Sequence, residues 1–287
     1  MLRSVTLLRV FLSIMAIQGF IFRKNRKKSI ILHLPSFRAS AIILVMEFKN
    51  YISKIDAGRL MLSVSGVVTG SMLAAADFHV NWLAALFLIA SVLMFQLFPI
   101  IIPGVACALA AVYFSYGTLF LLDAFIMMLL GYLAYRSVRS HASQAGLFRN
   151  GPVFTLTTLF IYGVMPLYGA YYLCTHSFGS WLLFLPSLAI GSFCLAARNS
   201  AYLSDSRTRI FHVFWIAAGW IFMTVYGCMR IFDVWHFLYL LALPLFIWLL
   251  IRMWKTGGEL DGYGMKLSAL TLVFAALSGF GFMIYLF

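Results

Sequence analysis

Residues 181–209 read WLLFLPSLAIGSFCLAARNSAYLSDSRTR, an apolar stretch followed by a short polar connection that carries three arginines. The apolar part is close to the length of about 20 residues with which an α-helix crosses the hydrocarbon core of a bilayer. The same alternation recurs along the chain from residue 58 onward and predicts nine transmembrane helices. We place them at 58–76, 82–100, 102–118, 120–135, 153–173, 181–197, 211–229, 236–254 and 267–287. The predicted fold class is therefore an all-α polytopic membrane protein.

The basic residues outside the first 45 fall almost entirely on one side of these nine helices. The segment before the first helix and every even-numbered connection contain Lys49, Lys54, Arg59, Arg136, Arg139, Arg149, Arg198, Arg207, Arg209, Arg252, Lys255 and Lys266. The opposite side receives Arg230 alone. Short cytoplasmic loops carry an excess of Lys and Arg. We therefore predict that the segment before the first helix is cytoplasmic and that the C-terminus lies on the other side.

The composition excludes several other classes of protein. Of the 287 residues, 63% are hydrophobic and only 10% are charged, which leaves too little polar surface for a soluble domain of this size. The net charge of +13 follows from the basic loops and from a basic N-terminal segment, so it does not indicate nucleic-acid binding. The four cysteines are far apart, without the paired spacing of a metal or redox site.

Residues 1–45 differ from the rest of the chain, because they contain eight basic residues and no acidic residue. An apolar run at 5–22 is followed by a basic cluster at 23–28, where a signal peptide would need small residues for cleavage. Two interpretations stay open for this segment. It is either an additional anchor with a basic flank, or sequence upstream of a true start at Met46. We accordingly treat 1–45 as an N-terminal extension and 46–287 as the membrane domain.

The richest polar segment is the connection 198–209 between the predicted sixth and seventh helices. It contains Asn199, Asp205, Arg207 and Arg209, which provide an amide, a carboxylate and two guanidinium groups. Arginine binds phosphate through two parallel hydrogen bonds. The connection therefore predicts either an anion-binding site or an ordinary positively charged cytoplasmic loop.

Three stretches, in this order, resemble segments of one known family. Residues 56–74 (DAGRLMLSVSGVVTGSMLA) are similar to its Ala-Arg-Pro and Gly-Thr-Ala-Leu-Ala segments, 163–173 (GVMPLYGAYYL) to its fifth helix, and 185–199 (LPSLAIGSFCLAARN) to its sixth. Together with the nine predicted helices, they make the chain resemble the UbiA superfamily of intramembrane prenyltransferases over residues 46–287. The closest resemblance is to the 1,4-dihydroxy-2-naphthoate polyprenyltransferase branch, which acts in menaquinone synthesis.

This resemblance implies a function and a site. A polyprenyl diphosphate would be bound through Mg²⁺ held by two acidic motifs, one after the second helix and one after the sixth, and its prenyl group would be transferred to an aromatic acceptor. By this resemblance Asp205 is the candidate metal ligand. The candidate residues for binding the diphosphate are Arg59, Arg198, Asn199, Arg207 and Arg209.

The sequence departs from the family at both acidic motifs. The connection after the second helix, 96–104, contains no acidic residue, and Tyr202 and Ser206 occupy the acidic positions of the second motif, with Asp205 one residue out of register. A second hypothesis is therefore an inactive family member that binds a prenyl lipid, a quinone or a membrane partner. A third hypothesis, a small-molecule transporter, is disfavoured because the chain has no evident internal repeat and almost no charge in the middle of its helices.

Overall fold

A computed structural model describes residues 57–97, 102–115, 152–230, 233–257 and 261–284, all within the unit Ile55–Phe287. The described residues are helical and contain no β-strand. Their helices are α1 (Ala57–Asp77), α2 (Trp82–Leu97), α3 (Ile102–Phe114), α4 (Pro152–Leu159, the π-helical turn Phe160–Val164 and Met165–Thr175), α5 (Trp181–Asn199), α6 (Ser206–Met229), α7 (Val234–Lys255) and α8 (Tyr263–Ile284).

Five of these eight helices, α1 and α5 to α8, are long and apolar enough to cross a membrane, while α2 and α3 are shorter apolar helices. A bilayer core offers no water to the backbone, so each spanning segment must satisfy its hydrogen bonds internally, as a helix does. The described part of the chain thus has the architecture of a membrane-embedded, multi-pass protein.

The helical prediction is confirmed for eight of the nine stretches, each of which overlaps one helix. The remaining stretch, 120–135, lies outside the described residues, as do the extension 1–45 and the alternative start Met46. The count of nine helices therefore stays a prediction.

Helix α1 lies at the centre of the described bundle, where it packs against α8, α4 and α2. Helix α5 packs against α6, the π-helical turn of α4 and α8, and α2 pairs with α3. Glycine permits the closest of these approaches. A side chain at Gly163 would meet the α5 backbone at Ser187 and, at 3.0 Å, at Gly191. The backbones of α4 and α5 are therefore in direct contact.

Large aromatic side chains fill the space between α5, α6, α7 and α8. The ring centroids of Phe193 and Phe274 are 4.8 Å apart, those of Trp220 and Phe274 5.0 Å, and those of Phe193 and Phe246 5.1 Å. Offset and edge-to-face aromatic pairs add to the energy of burial. This cluster joins α5, α6, α7 and α8.

Proline explains why α4 is not a regular α-helix. Pro166 has no N–H to donate to the carbonyl four residues before it, which interrupts the hydrogen-bond ladder. The N–H of Met165 donates instead to the carbonyl of Phe160, five residues earlier, and closes the π-helical turn. This turn precedes the second part of α4 and includes Tyr162, which reaches the end of α5.

Candidate functional site

The connection 198–209 is compact in the structure. Helix α5 ends at Asn199, a 3₁₀ turn spans Ser200–Tyr202, and α6 begins at Ser206. Much of the segment predicted as a loop is therefore the end of one helix and the start of the next.

Asp205 is the N-cap of α6. Its backbone is extended, and its Oδ2 accepts hydrogen bonds from the Thr208 N–H at 3.1 Å and from the Thr208 hydroxyl at 3.0 Å. Aspartate is a preferred N-cap because the first N–H groups of a helix have no carbonyl partner within it. The Thr208 hydroxyl, followed by the Thr208 N–H, lowers the pKa of Asp205 below its ordinary value. The candidate metal ligand is thus an ionised carboxylate that already stabilises the start of α6.

Arg198, in the last turn of α5, contacts α4. Its guanidinium carbon lies 5.0 Å from the Phe154 ring centroid and 5.3 Å from that of Tyr162, and its Nη1 lies 3.5 Å from the Thr158 hydroxyl. A guanidinium over aromatic faces is held by attraction to the ring electrons. A cation also suits the C-terminus of a helix, where the macrodipole is negative. These contacts fix a half-buried cation beside Asn199, which is buried.

Arg209, in the first part of α6, contacts α7 instead. Its guanidinium carbon lies 5.3 Å from the ring centroid of Trp254. Arg207 is exposed, and its charge adds to the lowering of the pKa of Asp205. Arg59 belongs to α1, but its side chain lies outside what the structure describes. The structure therefore brings Asp205 and Arg207 together, whereas Arg198 and Arg209 contact different helices.

Sequence reasoning missed a buried hydrogen-bonded pair beneath this connection. His212 is fully buried in α6, with Nδ1 3.0 Å from the Ala196 carbonyl of α5 and Nε2 2.6 Å from the Tyr263 hydroxyl of α8. Because a carbonyl only accepts, Nδ1 carries the proton and the Tyr263 hydroxyl donates to Nε2. The histidine thus joins three helices directly below the site. His212 and Tyr263 are 51 positions apart, and no pattern in the sequence identifies them as a pair.

A two-magnesium site does not fit the described residues. They contain no group of three or more His, Cys, Asp or Glu side chains placed to hold a metal ion. Of the two described acids near this connection and the start of α8, Asp205 has one oxygen engaged by Thr208, and Asp261 is exposed. Magnesium needs near-octahedral oxygen coordination. Asp56 and Glu259, the other acids predicted on this side, lie outside the described residues.

No family model, curated protein or solved structure matches the chain.

Proposed function

We propose that the chain is a nine-helix UbiA-type membrane protein that binds a polyprenyl diphosphate at the junction of α5 and α6 and transfers the polyprenyl group to an aromatic acceptor. The observation that carries this proposal is the fixed position of Arg198 beside buried Asn199, where α5 ends. The acceptor class, a naphthoate of menaquinone-type synthesis, rests on the resemblance of the three stretches. The excess of Lys and Arg in the even-numbered connections, to which this junction belongs, supports a cytoplasmic position for it.

The chemistry of such a site follows from its charges. A guanidinium remains charged at all relevant pH values and offers a planar pair of donors that matches a phosphate. Arg198 would stabilise the negative charge that develops on the departing diphosphate. The allylic carbon–oxygen bond breaks with its electrons on the diphosphate, the acceptor ring supplies the electrons of the new carbon–carbon bond, and the ring then loses a proton. The apolar helices provide the surroundings for the polyprenyl chain.

A second function, binding without transfer, is favoured by the role of Asp205. Its carboxylate caps α6, and no acidic residue occurs between Asp77 and Asp123, where the family has its first acidic motif. A protein with this arrangement would bind a prenyl lipid or quinone in the bundle and lack the metal ions that assist departure of the diphosphate.

The deciding experiment measures binding and transfer separately. Purified protein in lipid receives radiolabelled polyprenyl diphosphate, dihydroxynaphthoate and Mg²⁺, with EDTA as a control. We expect saturable binding that Arg198→Gln weakens about 10-fold or more, since the charged hydrogen bonds lost contribute 1.5–3 kcal/mol by a rough estimate. Lys266→Gln, which removes an exposed charge from the start of α8, is the matched control.

Each result separates the two functions. Labelled prenyl product supports the transferase. Binding without product, beside an active family member, supports the non-catalytic alternative. A chain that folds but binds no polyprenyl diphosphate contradicts the transferase, and a failure to bind prenyl lipid or quinone as well contradicts both.

A further inference from the structure

A second cationic surface lies on the side of α6 and α7. The first turns of α6 carry Arg207 and Arg209, and the last turn of α7 carries Arg252 and Lys255. The guanidinium carbon of Arg209 lies 5.3 Å from the Trp254 ring centroid, and that of Arg252 lies 5.4 Å from the ring centroid of Trp248. We call these four basic residues the α6–α7 cationic surface.

Within the part of the chain that the structure describes, the charges of this surface are almost uncompensated. The side chains of Arg209, Arg252 and Lys255 form no ion pair or hydrogen bond with any other described residue. Asp205 lies two residues before Arg207, and its carboxylate is engaged in capping α6. Because an exposed cation gains from a counter-charge, four cations at the ends of two contacting helices attract an anionic partner.

Both helices also carry exposed apolar side chains near these cations in the sequence. On α6, Ile210, Phe211 and Phe214 are 63%, 60% and 57% exposed. On α7, Trp248 and Trp254 are 53% and 50% exposed. Large apolar side chains of a membrane protein face the acyl chains, and tryptophan prefers the boundary between acyl chains and headgroups. The cations therefore lie where the headgroups of one leaflet begin.

We propose that the α6–α7 cationic surface binds the headgroup phosphate of an anionic phospholipid, with the acyl chains along the exposed faces of α6 and α7. Stacking on Trp254 holds the guanidinium of Arg209 in one plane, and a fixed guanidinium presents its terminal nitrogens to two phosphate oxygens at once. The apolar face beneath the cations selects a phospholipid over a free phosphate ion. This site lies apart from the proposed diphosphate site, where Arg198 contacts α4.

The test uses the full chain in phosphatidylcholine bilayers that contain phosphatidylglycerol with brominated acyl chains. Bromine quenches tryptophan fluorescence at short range, and Trp248 and Trp254 lie on the proposed site. We expect brominated phosphatidylglycerol to quench at a several-fold lower mole fraction than brominated phosphatidylcholine. Arg209→Gln should raise the required fraction about five-fold, the usual effect of one cation near an anionic surface. Arg209→Lys, which keeps the charge without the planar donors, should restore only part of the effect.

The control and the contrary outcomes are defined by the same readout. Lys266→Gln removes an exposed charge at the start of α8 and should leave the quenching curve unchanged. Equal quenching by the two brominated lipids, or an equal effect of Lys266→Gln, would overturn the proposal. Inorganic phosphate that abolishes the preference at millimolar concentration would show a free-anion site instead. Because no prenyl substrate is present, the result is independent of the proposed transferase activity.

Discussion

The ion pair between Arg230 and Asp77 provides the sharpest test of the helix arrangement. It joins the end of α6 to the end of α1, with Arg230 Nη2 2.5 Å from Asp77 Oδ1. The Tyr171 hydroxyl of α4 donates to Asp77 Oδ2 at 2.9 Å, so three helices meet at this carboxylate. The side chains of Arg230 and Asp77 are 26% and 23% exposed, and the guanidinium also lies over the ring of Tyr226 at 5.6 Å.

These exposed fractions place the energy of the pair between that of a fully exposed ion pair and that of a fully buried one. Two unit charges about 4 Å apart attract by about 4 kcal/mol at the effective dielectric constant of about 20 near a protein surface. Desolvation of both groups opposes this attraction. Fully exposed pairs contribute about 0.2–1 kcal/mol. For side chains that are three-quarters buried we expect a coupling free energy of about 1–2 kcal/mol.

A double-mutant cycle measures this coupling. Asp77→Asn, Arg230→Gln and the double variant are unfolded by denaturant in detergent micelles, beside wild type. Each single variant should lose about 1–3 kcal/mol, because it leaves a partly buried charge without its partner, and the double variant should lose less than the sum. Asp261→Asn, at an exposed position, is the control. Additivity of the two single changes within about 0.3 kcal/mol would refute the direct interaction of α1 with α6.

Three further predictions concern the other end of the bundle and its packing. Gly163→Ala should destabilise the protein by about 1–3 kcal/mol, because the new methyl group would meet the α5 backbone. Gly227→Ala has ordinary contacts and should be neutral or stabilising in the same denaturant assay. Equal effects of the two substitutions would contradict the close packing of α4 and α5. The hydrogen bonds that lower the pKa of Asp205 stabilise its charged form. The difference in Tm between wild type and Asp205→Ala should therefore persist above about pH 4 and disappear as the pH falls through the lowered pKa. A difference in Tm that is independent of pH would contradict the charged cap. Tyr263→Phe removes the donor to His212 and should cost about 1–3 kcal/mol in denaturant unfolding, and an unchanged stability would show that the pair contributes nothing.

Helix positions could be predicted closely where hydropathy alone determines them. The prediction of 58–76 for the first helix differs by one residue at each end from Ala57–Asp77. The prediction of 211–229 for α6 began five residues too late, because Arg207 and Arg209 were assigned to a polar loop. The sequence did contain a signal for the earlier start. Asp205 belongs to the residue types preferred at the N-cap, where the side chain bonds to the first turn.

The site could be predicted only as a segment, since its geometry depends on residues far away in the chain. Arg198 is fixed by Phe154 and Tyr162, which precede it by 44 and 36 residues. The π-helical turn that includes Tyr162 depends on a shift in hydrogen bonding that Pro166 allows but does not locate. A single sequence has no periodicity that encodes such contacts between helices.

Two arginines that look equivalent in the sequence have different surroundings in the structure. Arg198 and Arg209 lie 11 residues apart in one polar segment, and both suit the binding of a phosphate. Arg198 ends α5 and is held over two rings of α4, whereas Arg209 begins α6 and is held over Trp254 of α7. The two guanidinium groups thus contact different helices. We therefore assign Arg198 to the proposed diphosphate site and Arg209 to the proposed lipid site, so that neutralising one should leave binding at the other intact.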